Sequence, residues 1–158
     1  MIEVNGTFDG EVTVQTAVAI PDKPLHCLAI GTVSGVHKSD DGHWSGAEMT
    51  YWGMGDLLAG NGAQTGYFRN QHVSGDTTFG TFDGNVTMDG LASKIVGKWQ
   101  LVSGTGTLEG ISGGGRFEAH STDPVHIHMD WSGEYSLRSQ DEVVVQGPLE
   151  APRLVNRT

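Results

Sequence analysis

The chain is poor in cysteine and in basic residues, and each shortage excludes a class of protein. Cys27 is the only cysteine, so no intrachain disulfide can form. Lysine and arginine together number 9 against 19 aspartates and glutamates, which gives a net charge of −10. Such an acidic surface repels phosphate backbones and anionic lipids. We therefore expect neither nucleic acid nor a membrane as a partner.

Long apolar runs are also missing. No stretch approaches the roughly 18 consecutive apolar residues of a membrane-spanning helix. Met1 leads directly into Ile2–Gly6, without a basic segment followed by an apolar one. The simplest interpretation is a soluble cytoplasmic protein, and a secreted protein whose signal peptide has been removed is the alternative. The 158 residues suit a single domain with its own core.

Helical patterns are nearly absent from a chain that holds 24 glycines. The best helical candidate, Gly55–Gly62, is too short and too rich in glycine for more than one turn. Proline does not occur between Leu25 and Asp123, as expected for continuously paired strands. Alternating or apolar segments separated by glycine turns predict an all-β fold. A closed antiparallel barrel of about eight strands is favoured, because closure removes exposed sheet edges.

The segments with strand patterns are spaced by short turns. Three turns containing glycine are predicted, at Asp40–Gly42, Asp83–Asn85 and Asp89–Gly90. We expect residues 1–145 to form the barrel domain and residues 146–158, which include two prolines, to form a C-terminal tail. The predicted strands are Glu11–Ile20, His26–Val36, His43–Met54, Thr65–Val73, Thr77–Phe82, Asn85–Asp89, Ser93–Val102, Gly115–His120 and Pro124–Leu137.

A segment dense in glycine, Ser103–Phe117, connects two of these strands. We expect Leu108 and Ile111 to anchor this connection. Its residues GTGTLEGISGGGRF follow the pattern GTGxLxGIxGxGxF. Together with GDTTFGTFDG at Gly75–Gly84 and KWQLV at Lys98–Val102, the segment resembles the allene-oxide-cyclase/dirigent superfamily, which includes small bacterial members of unknown function.

The resemblance covers the chain from about His43 to Phe117 and implies a calycin-like barrel of about eight strands. It also implies an apolar cavity that opens at one end, frequent oligomerisation, and reactions that mostly proceed without a cofactor. On that basis we expect no cofactor, a small hydrophobic molecule as ligand, and a homo-oligomer, either a dimer or a trimer. No catalytic motif of the family matches numbered positions in this sequence, and fold alone does not define function.

The sharpest group of polar residues follows Val125. On a strand, side-chain alternation puts His126, His128 and Asp130 on one face and Ile127 and Met129 on the other. If the polar face lines the cavity, a histidine acts as general acid or base and Asp130 holds its tautomer. Alternatively, the apolar face is the core and the histidines lie in solvent or at a subunit interface. In a third interpretation, His126 and His128 ligate a metal ion.

A second candidate region is His43–Trp52, where alternation places Trp44, Glu48 and Trp52 on one face and Tyr51 on the other. A carboxyl group beside two indoles in a low dielectric has a raised pKa and suits a proton donor. Alternatively, Glu48 pairs with an arginine or lies exposed beside a tryptophan.

The third candidate region is Tyr67–His72. Arg69 is a candidate to bind a carboxylate or to pair with Glu48. Asn70 and His72 are candidates to orient a substrate or a water molecule. The alternative for this polar stripe is a solvated surface, although one of its faces must point into a barrel.

These observations favour a cofactor-independent enzyme, a cyclase, isomerase or lyase, that acts on a small apolar substrate by acid–base catalysis. The candidate catalytic residues are His126, His128, Asp130 and Glu48. The candidate substrate-binding residues are Trp44, Trp52, Tyr51, Arg69, Asn70 and His72. The alternatives are a non-catalytic binding barrel for a hydrophobic ligand and a metal-dependent enzyme that uses the His126/His128 pair.

Overall fold

The computed structural model describes residues 1–138, which form a closed barrel. Each strand pairs antiparallel with the next, and the last strand pairs with the first, so every strand has a partner strand on both sides. The expected all-β barrel of eight antiparallel strands is confirmed. Its elements are β1 (Ile2–Ala19), β2 (His26–Ser39), β3 (Glu48–Leu58), β4 (Asn61–Gln71), β5 (Thr77–Asp89), β6 (Ala92–Gly104), a 3₁₀ helix (Gly106–Leu108), β7 (Ser112–Ser121) and β8 (His126–Ser136).

Every second side chain of a strand points into the barrel, and the apolar ones decide which face is inside. On β8, Met129, Trp131 and Tyr135 are buried while His128 and Asp130 are exposed. Burial of one large apolar side chain contributes about 1.5–3 kcal/mol, so the more apolar face of the strand points inward. The buried core comprises Val4, Phe8, Val33, Trp44, Met49, Tyr51, Phe68, Phe82, Leu101, Leu108, Ile111, Phe117, Ala119, Met129, Trp131 and Tyr135.

Inward-facing glycines make room for the aromatic rings of this core. A Cβ atom on Gly6 would lie 2.5 Å from Cζ2 of Trp131. A Cβ atom on Gly133 would lie 2.6 Å from Cζ2 of Trp99. A narrow barrel can therefore hold several indoles only where the facing strand carries no side chain.

The two ends of the barrel differ. At the closed end, the connections β2–β3, β4–β5 and β6–β7 fold over the opening, and their residues Trp44, Leu108 and Ile111 are buried. The expected anchoring by Leu108 and Ile111 is confirmed. At the open end, inward-facing residues such as Gln64 and Ile95 are only half-buried. Access to the interior is therefore from the open end.

Several predicted boundaries were wrong. β1 begins at Ile2 rather than Glu11, and β5 continues through the predicted turn at Asp83–Asn85. Gly84 is needed there for close approach, because a Cβ atom would lie 2.7 Å from the carbonyl oxygen of Val96. The predicted turn at Asp89–Gly90 does join β5 to β6, with Gly90 at φ +65°.

The predicted start of the third strand at His43 was also wrong. Residues 40–47 form a loop, in which the N–H groups of Trp44 and Ser45 donate to the carbonyl oxygen of Asp41. The proposed tail, residues 146–158, lies outside the described residues. Within residues 1–138, no helix is long and apolar enough to cross a membrane.

Candidate functional site

A cavity of about 60 Å³ lies inside the barrel. Most of its wall is apolar or aromatic, and the polar side chains in the wall are few. The apolar residues include Met49, Phe68, Phe82, Phe117 and Met129, and the polar ones are His37, Asn70 and Gln64. Apolar walls with a few placed polar groups are typical of small-molecule sites.

A chain of buried hydrogen bonds runs from the closed end to the cavity. Nδ1 of His72 lies 2.6 Å from the carbonyl oxygen of His43, and Nε2 of His72 lies 2.9 Å from Oγ1 of Thr78. Asn70 joins the chain through Nδ2, which donates to Thr78 Oγ1 at 3.3 Å. Its Oδ1 lies 2.8 Å from Nε2 of His37. Four side chains from β2, β4 and β5 and the β4–β5 loop are thus connected in series.

The backbone carbonyl of His43 sets the direction of every bond in this chain. A carbonyl oxygen only accepts, so Nδ1 of His72 carries the hydrogen and Nε2 of neutral His72 accepts from the Thr78 hydroxyl. Thr78 then accepts from the amide of Asn70, whose oxygen accepts from Nε2–H of His37. Nδ1 of His37 is therefore left with a lone pair.

Both histidines of the chain are neutral for a physical reason. Burial lowers the pKa of His37 to about 4, and the hydrogen bond to Asn70 opposes this only in part. Burial also lowers the pKa of His72, although its hydrogen bond to the His43 carbonyl opposes the shift. A neutral His37 fits the direction of the chain, in which only one of its ring nitrogens carries a hydrogen.

Three fully buried polar atoms, all on residues that line the cavity, have no hydrogen-bond partner among residues 1–138. They are Nδ1 of His37 and the indole Nε1 atoms of Trp44 and Trp131. The three rings pack together, with centroids 5.3 Å apart for His37–Trp131, 5.6 Å for Trp44–Trp131 and 6.1 Å for His37–Trp44. We call these residues the aromatic triad. By contrast, the indole of Trp99 donates to the carbonyl oxygens of Arg116 and Ser132.

A fourth polar group of the wall is the phenol of Tyr51. Burial raises the pKa of Tyr51, so the phenol is neutral and can donate a hydrogen bond. No other group of the described chain is hydrogen-bonded to it. The surface of the cavity wall is therefore almost entirely apolar, and the polar groups behind it carry no formal charge.

Four of the candidate residues lie inside the barrel. Trp44, Tyr51 and Asn70 line the cavity, and His72 belongs to the chain behind it. Trp44 arrives there from the β2–β3 loop rather than from a strand, and so lies inside with Tyr51 although alternation put them on opposite faces.

The proposed catalytic residues lie on the outer surface instead. The side chains of His126, His128 and Asp130 are 66%, 47% and 63% exposed. The alternative interpretation, with the histidines outside, agrees with the structure, because Met129 and Trp131 occupy the inner face of β8. The interpretation that placed these histidines in the cavity was wrong.

Glu48, Trp52 and Arg69 also point outward. Glu48 is exposed at the start of β3, and Trp52 is 37% exposed. The guanidinium of Arg69 lies over the indole of Trp52, 5.8 Å from the ring centroid, rather than against Glu48. The predicted placement of Glu48 between two inward indoles was therefore wrong.

Sequence reasoning missed His37, and it placed Trp131 inside only in the alternative that makes the apolar face of β8 the core. His37 follows Val33 and Gly35 on the inner face of β2, and this period of two was the available signal. A single histidine at the end of a strand gives no chemical pattern by itself. Its partners, Asn70 and Thr78, come from distant parts of the sequence.

The residues described here include no group of three or more His, Cys, Asp or Glu side chains arranged to hold a metal ion. His126 and His128 bind different carboxylates. His126 lies 3.2 Å from Asp123, and Nδ1 of His128 lies 2.7 Å from Asp9. The metal-dependent alternative therefore lacks a donor set in this part of the chain.

No protein-family model and no curated protein matches the sequence. A search of solved structures finds the pterocarpan synthase dirigent protein GePTS1, at 12% sequence identity and a TM-score of 0.49. The match covers 86% of this chain and 89% of that chain. It brings no residue role and no reaction to this protein. The eight-stranded closed barrel, established by the strand pairing itself, is the architecture that the resemblance to the allene-oxide-cyclase/dirigent superfamily implies.

Proposed function

We propose that the protein binds a small, largely apolar molecule inside the barrel, against the aromatic triad. The observation that carries this proposal is a cavity inside the barrel whose wall is made mostly of apolar and aromatic side chains. Burial of the ligand's apolar surface against this wall supplies the binding free energy, at about 25 cal/mol per Å².

The size of the cavity limits the ligand. A volume of about 60 Å³ is well below the roughly 300–1,000 Å³ of common ligand sites. The half-buried side chains of Gln64 and Ile95 border the cavity on the side of the open end. A larger molecule therefore requires these two side chains to move outward.

Catalysis is the second candidate function, in the form of a cofactor-independent cyclase, isomerase or lyase. The lone pair on Nδ1 of His37 suits a proton acceptor, and the neutral phenol of Tyr51 suits a proton donor in the same cavity. A pKa of about 4 makes His37 a weak base, which favours binding over proton abstraction. We therefore place the binding function first and the enzyme second.

A cavity-filling variant tests the binding function. Ala119 is buried in the cavity wall, so Ala119→Leu should occupy the space that a ligand needs. Val96→Leu, at a half-exposed position on the outer face of β6, is the matched control. Binding of three probes, cyclopentanol, cyclopentyl methyl ether and methylcyclopentane, is measured by the fluorescence of the buried tryptophans.

We expect at least one probe to bind the wild type and Val96→Leu, and Ala119→Leu to lose that binding by about tenfold or more. Circular dichroism establishes that Ala119→Leu is folded, since overpacking a core costs about 1–3 kcal/mol. If a folded Ala119→Leu protein binds as the wild type does, the ligand site is not in this cavity. The predicted homo-oligomer, a dimer or trimer, stays a prediction that native mass spectrometry of the same samples tests.

A further inference from the structure

We propose that one side of β1, at residues 13–19, is the surface through which two copies of this chain pair. The two ladders that β1 makes differ in length. With β2, β1 pairs from Gly6 to Ala19, whereas with β8 it pairs only from Ile2 to Glu11. Beyond that point, no strand within residues 1–138 lies on the β8 side of β1. We call residues 13–19 the edge segment, and its pairing does not depend on a ligand in the cavity.

The backbone groups of the edge segment alternate between β2 and the free side. The N–H group of Ile20 donates to the carbonyl oxygen of His26, at the start of β2, over 2.9 Å. Successive residues of an antiparallel strand turn their backbone groups to opposite sides, so Gln15, Ala17 and Ala19 face the free side. Each of these three residues therefore presents one N–H and one C=O that no other described strand uses.

The edge segment lacks the charged residues and prolines that usually keep a free edge from associating. Between Glu11 and Pro21 the chain has no Lys, Arg, Asp, Glu or Pro, although the whole sequence carries a net charge of −10. The apolar side chains of Val14 and Val18 are 54% and 60% exposed. An uncharged edge of this length, rich in β-branched residues, is suited to pairing with another strand.

A second copy fits this edge because the segment is complementary to itself. An antiparallel pair centred on Ala17 places Ala17 opposite Ala17 of the second copy, and Gln15 opposite Ala19. Each copy then contributes three N–H donors and three carbonyl acceptors, so the pair holds about six backbone hydrogen bonds. The arrangement is two-fold symmetric, and it closes at two copies.

The apolar side chains beside the edge also suit this pair. On the outer face, Val18 lies opposite Leu28 of β2, and Ile30 follows at the next outward position. Both β2 side chains are about half exposed, at 46% and 52%. Edge pairing therefore joins the apolar outer faces of the two copies into one.

The charge of the protein favours the edge segment over other surfaces for self-association. Two chains that each carry −10 repel one another, so copies meet most easily where neither presents a charge. The turn that follows the edge segment carries Lys23, and antiparallel pairing brings this turn toward the rim of the other barrel, where Glu11 lies. Because the paired segments are short, we expect a weak dimer with a Kd in the micromolar range.

A charge placed on the edge tests the pairing. Ala17→Lys puts two lysines directly opposite each other across the two-fold axis, where like charges oppose pairing. Ala63→Lys is the matched control, because Ala63 is exposed on β4 but has β3 and β5 on its two sides. In sedimentation velocity over a concentration series, we expect the wild type and Ala63→Lys to dimerise equally. Ala17→Lys should raise the Kd by about tenfold or more, and circular dichroism establishes that both variants are folded.

Amide hydrogen exchange locates the interface without a substitution. The N–H groups of Ala17 and Ala19 should exchange rapidly in dilute protein and slowly in concentrated protein, measured residue by residue by NMR. The N–H group of Ile20, which is bonded to β2, is the internal control and should be protected at both concentrations.

Four results would overturn the proposal. The first is a wild type that stays monomeric up to about 1 mM, with the Ala17 amide exchanging rapidly. The second is a monomer in which this amide is protected, since another segment of the same chain would then cover the edge. The third is a trimer, which two-fold edge pairing cannot form. The fourth is a folded Ala17→Lys variant that dimerises as tightly as the wild type, which would place the interface elsewhere.

Discussion

The histidines inside the barrel and those on its surface have opposite electrostatics. Burial lowers the pKa of His37 and His72, and their hydrogen-bond partners are neutral groups. On the surface, carboxylate partners raise the pKa of His26 and His128. His26 lies between Asp22 and Asp56, and His128 lies 2.7 Å from Asp9. The same side chain is thus kept neutral by burial in one region, while carboxylates favour its cationic form in the other.

The difference shows that titratable residues close together in sequence are poor indicators of a site in a barrel. One face of β8 carries His126, His128 and Asp130, but the apolar residues that alternate with them are buried in the interior. His37 follows Val33 and Gly35 on its own face of β2 and meets Asn70 only through the fold. Four experiments test this difference between the inner and outer histidines, beginning with the variant that should change the protein most.

Removing Trp131 should have the largest effect, because this indole packs edge-on against His37 at a centroid distance of 5.3 Å. Trp131→Ala should lose about 3–5 kcal/mol of unfolding free energy in urea denaturation. In whatever fraction folds, the pKa of His37 should rise toward 6.5 as water reaches the ring. The control is Trp52→Ala on the outer surface, with an expected loss of about 1 kcal/mol or less. Equal losses at the two positions would contradict the assignment of inside and outside.

The second experiment follows stability against pH. The unfolded chain takes up a proton at His37 near pH 6.5, whereas the folded chain resists it until about pH 4. The free energy of unfolding is therefore highest, as far as His37 is concerned, above pH 6.5. It falls by roughly 3 kcal/mol as the pH decreases from 6.5 to about 4. His37→Gln should flatten this acid limb, as measured by denaturation at several pH values. An unchanged limb would contradict the lowered pKa.

The surface histidines change the stability in the opposite way as the pH rises. Because the folded pKa values of His26 and His128 are raised, their contribution is full below pH 6.5 and is lost as the pH rises through those values. His128→Asn should therefore remove part of the decline on the alkaline side and leave the acid limb unchanged. This makes it the control for His37→Gln.

The fold was more predictable from the sequence than the site. Turn spacing, dispersed glycine and the absence of helical patterns sufficed for a closed barrel, since these are local features. The inward face of β3 was predicted wrongly, and for β8 the correct apolar inward face was only one of two alternatives. The series of hydrogen bonds from His43 to His37 was not predictable. The direction of these bonds depends on a backbone carbonyl in a loop and on contacts between β2, β4 and β5.

The third experiment removes the buried hydrogen bond between Asn70 and His37. Asn70→Leu keeps the approximate shape of the side chain and leaves Nε2–H of His37 without its acceptor. We expect a loss of about 1–3 kcal/mol in unfolding free energy, the cost of an unpaired buried donor. The control is Gln71→Leu, at the next and outward-facing position of β4, with an expected change within about 0.5 kcal/mol. Similar losses for both variants would mean that the buried series of hydrogen bonds does not stabilise the barrel.

The smallest effect is expected where the sequence pattern was sharpest. The double variant His126→Asn, His128→Asn changes two side chains that contact only solvent-exposed carboxylates. Exposed ion pairs contribute little, about 1 kcal/mol or less, and no wall residue of the cavity is altered. Binding of the preferred probe should therefore stay within about twofold of the wild type, measured beside Ala119→Leu, which should lose it. A double variant that folds normally but binds tenfold more weakly would place the functional site on the outer face of β8. The roles assigned to the inner and outer histidines would then be reversed.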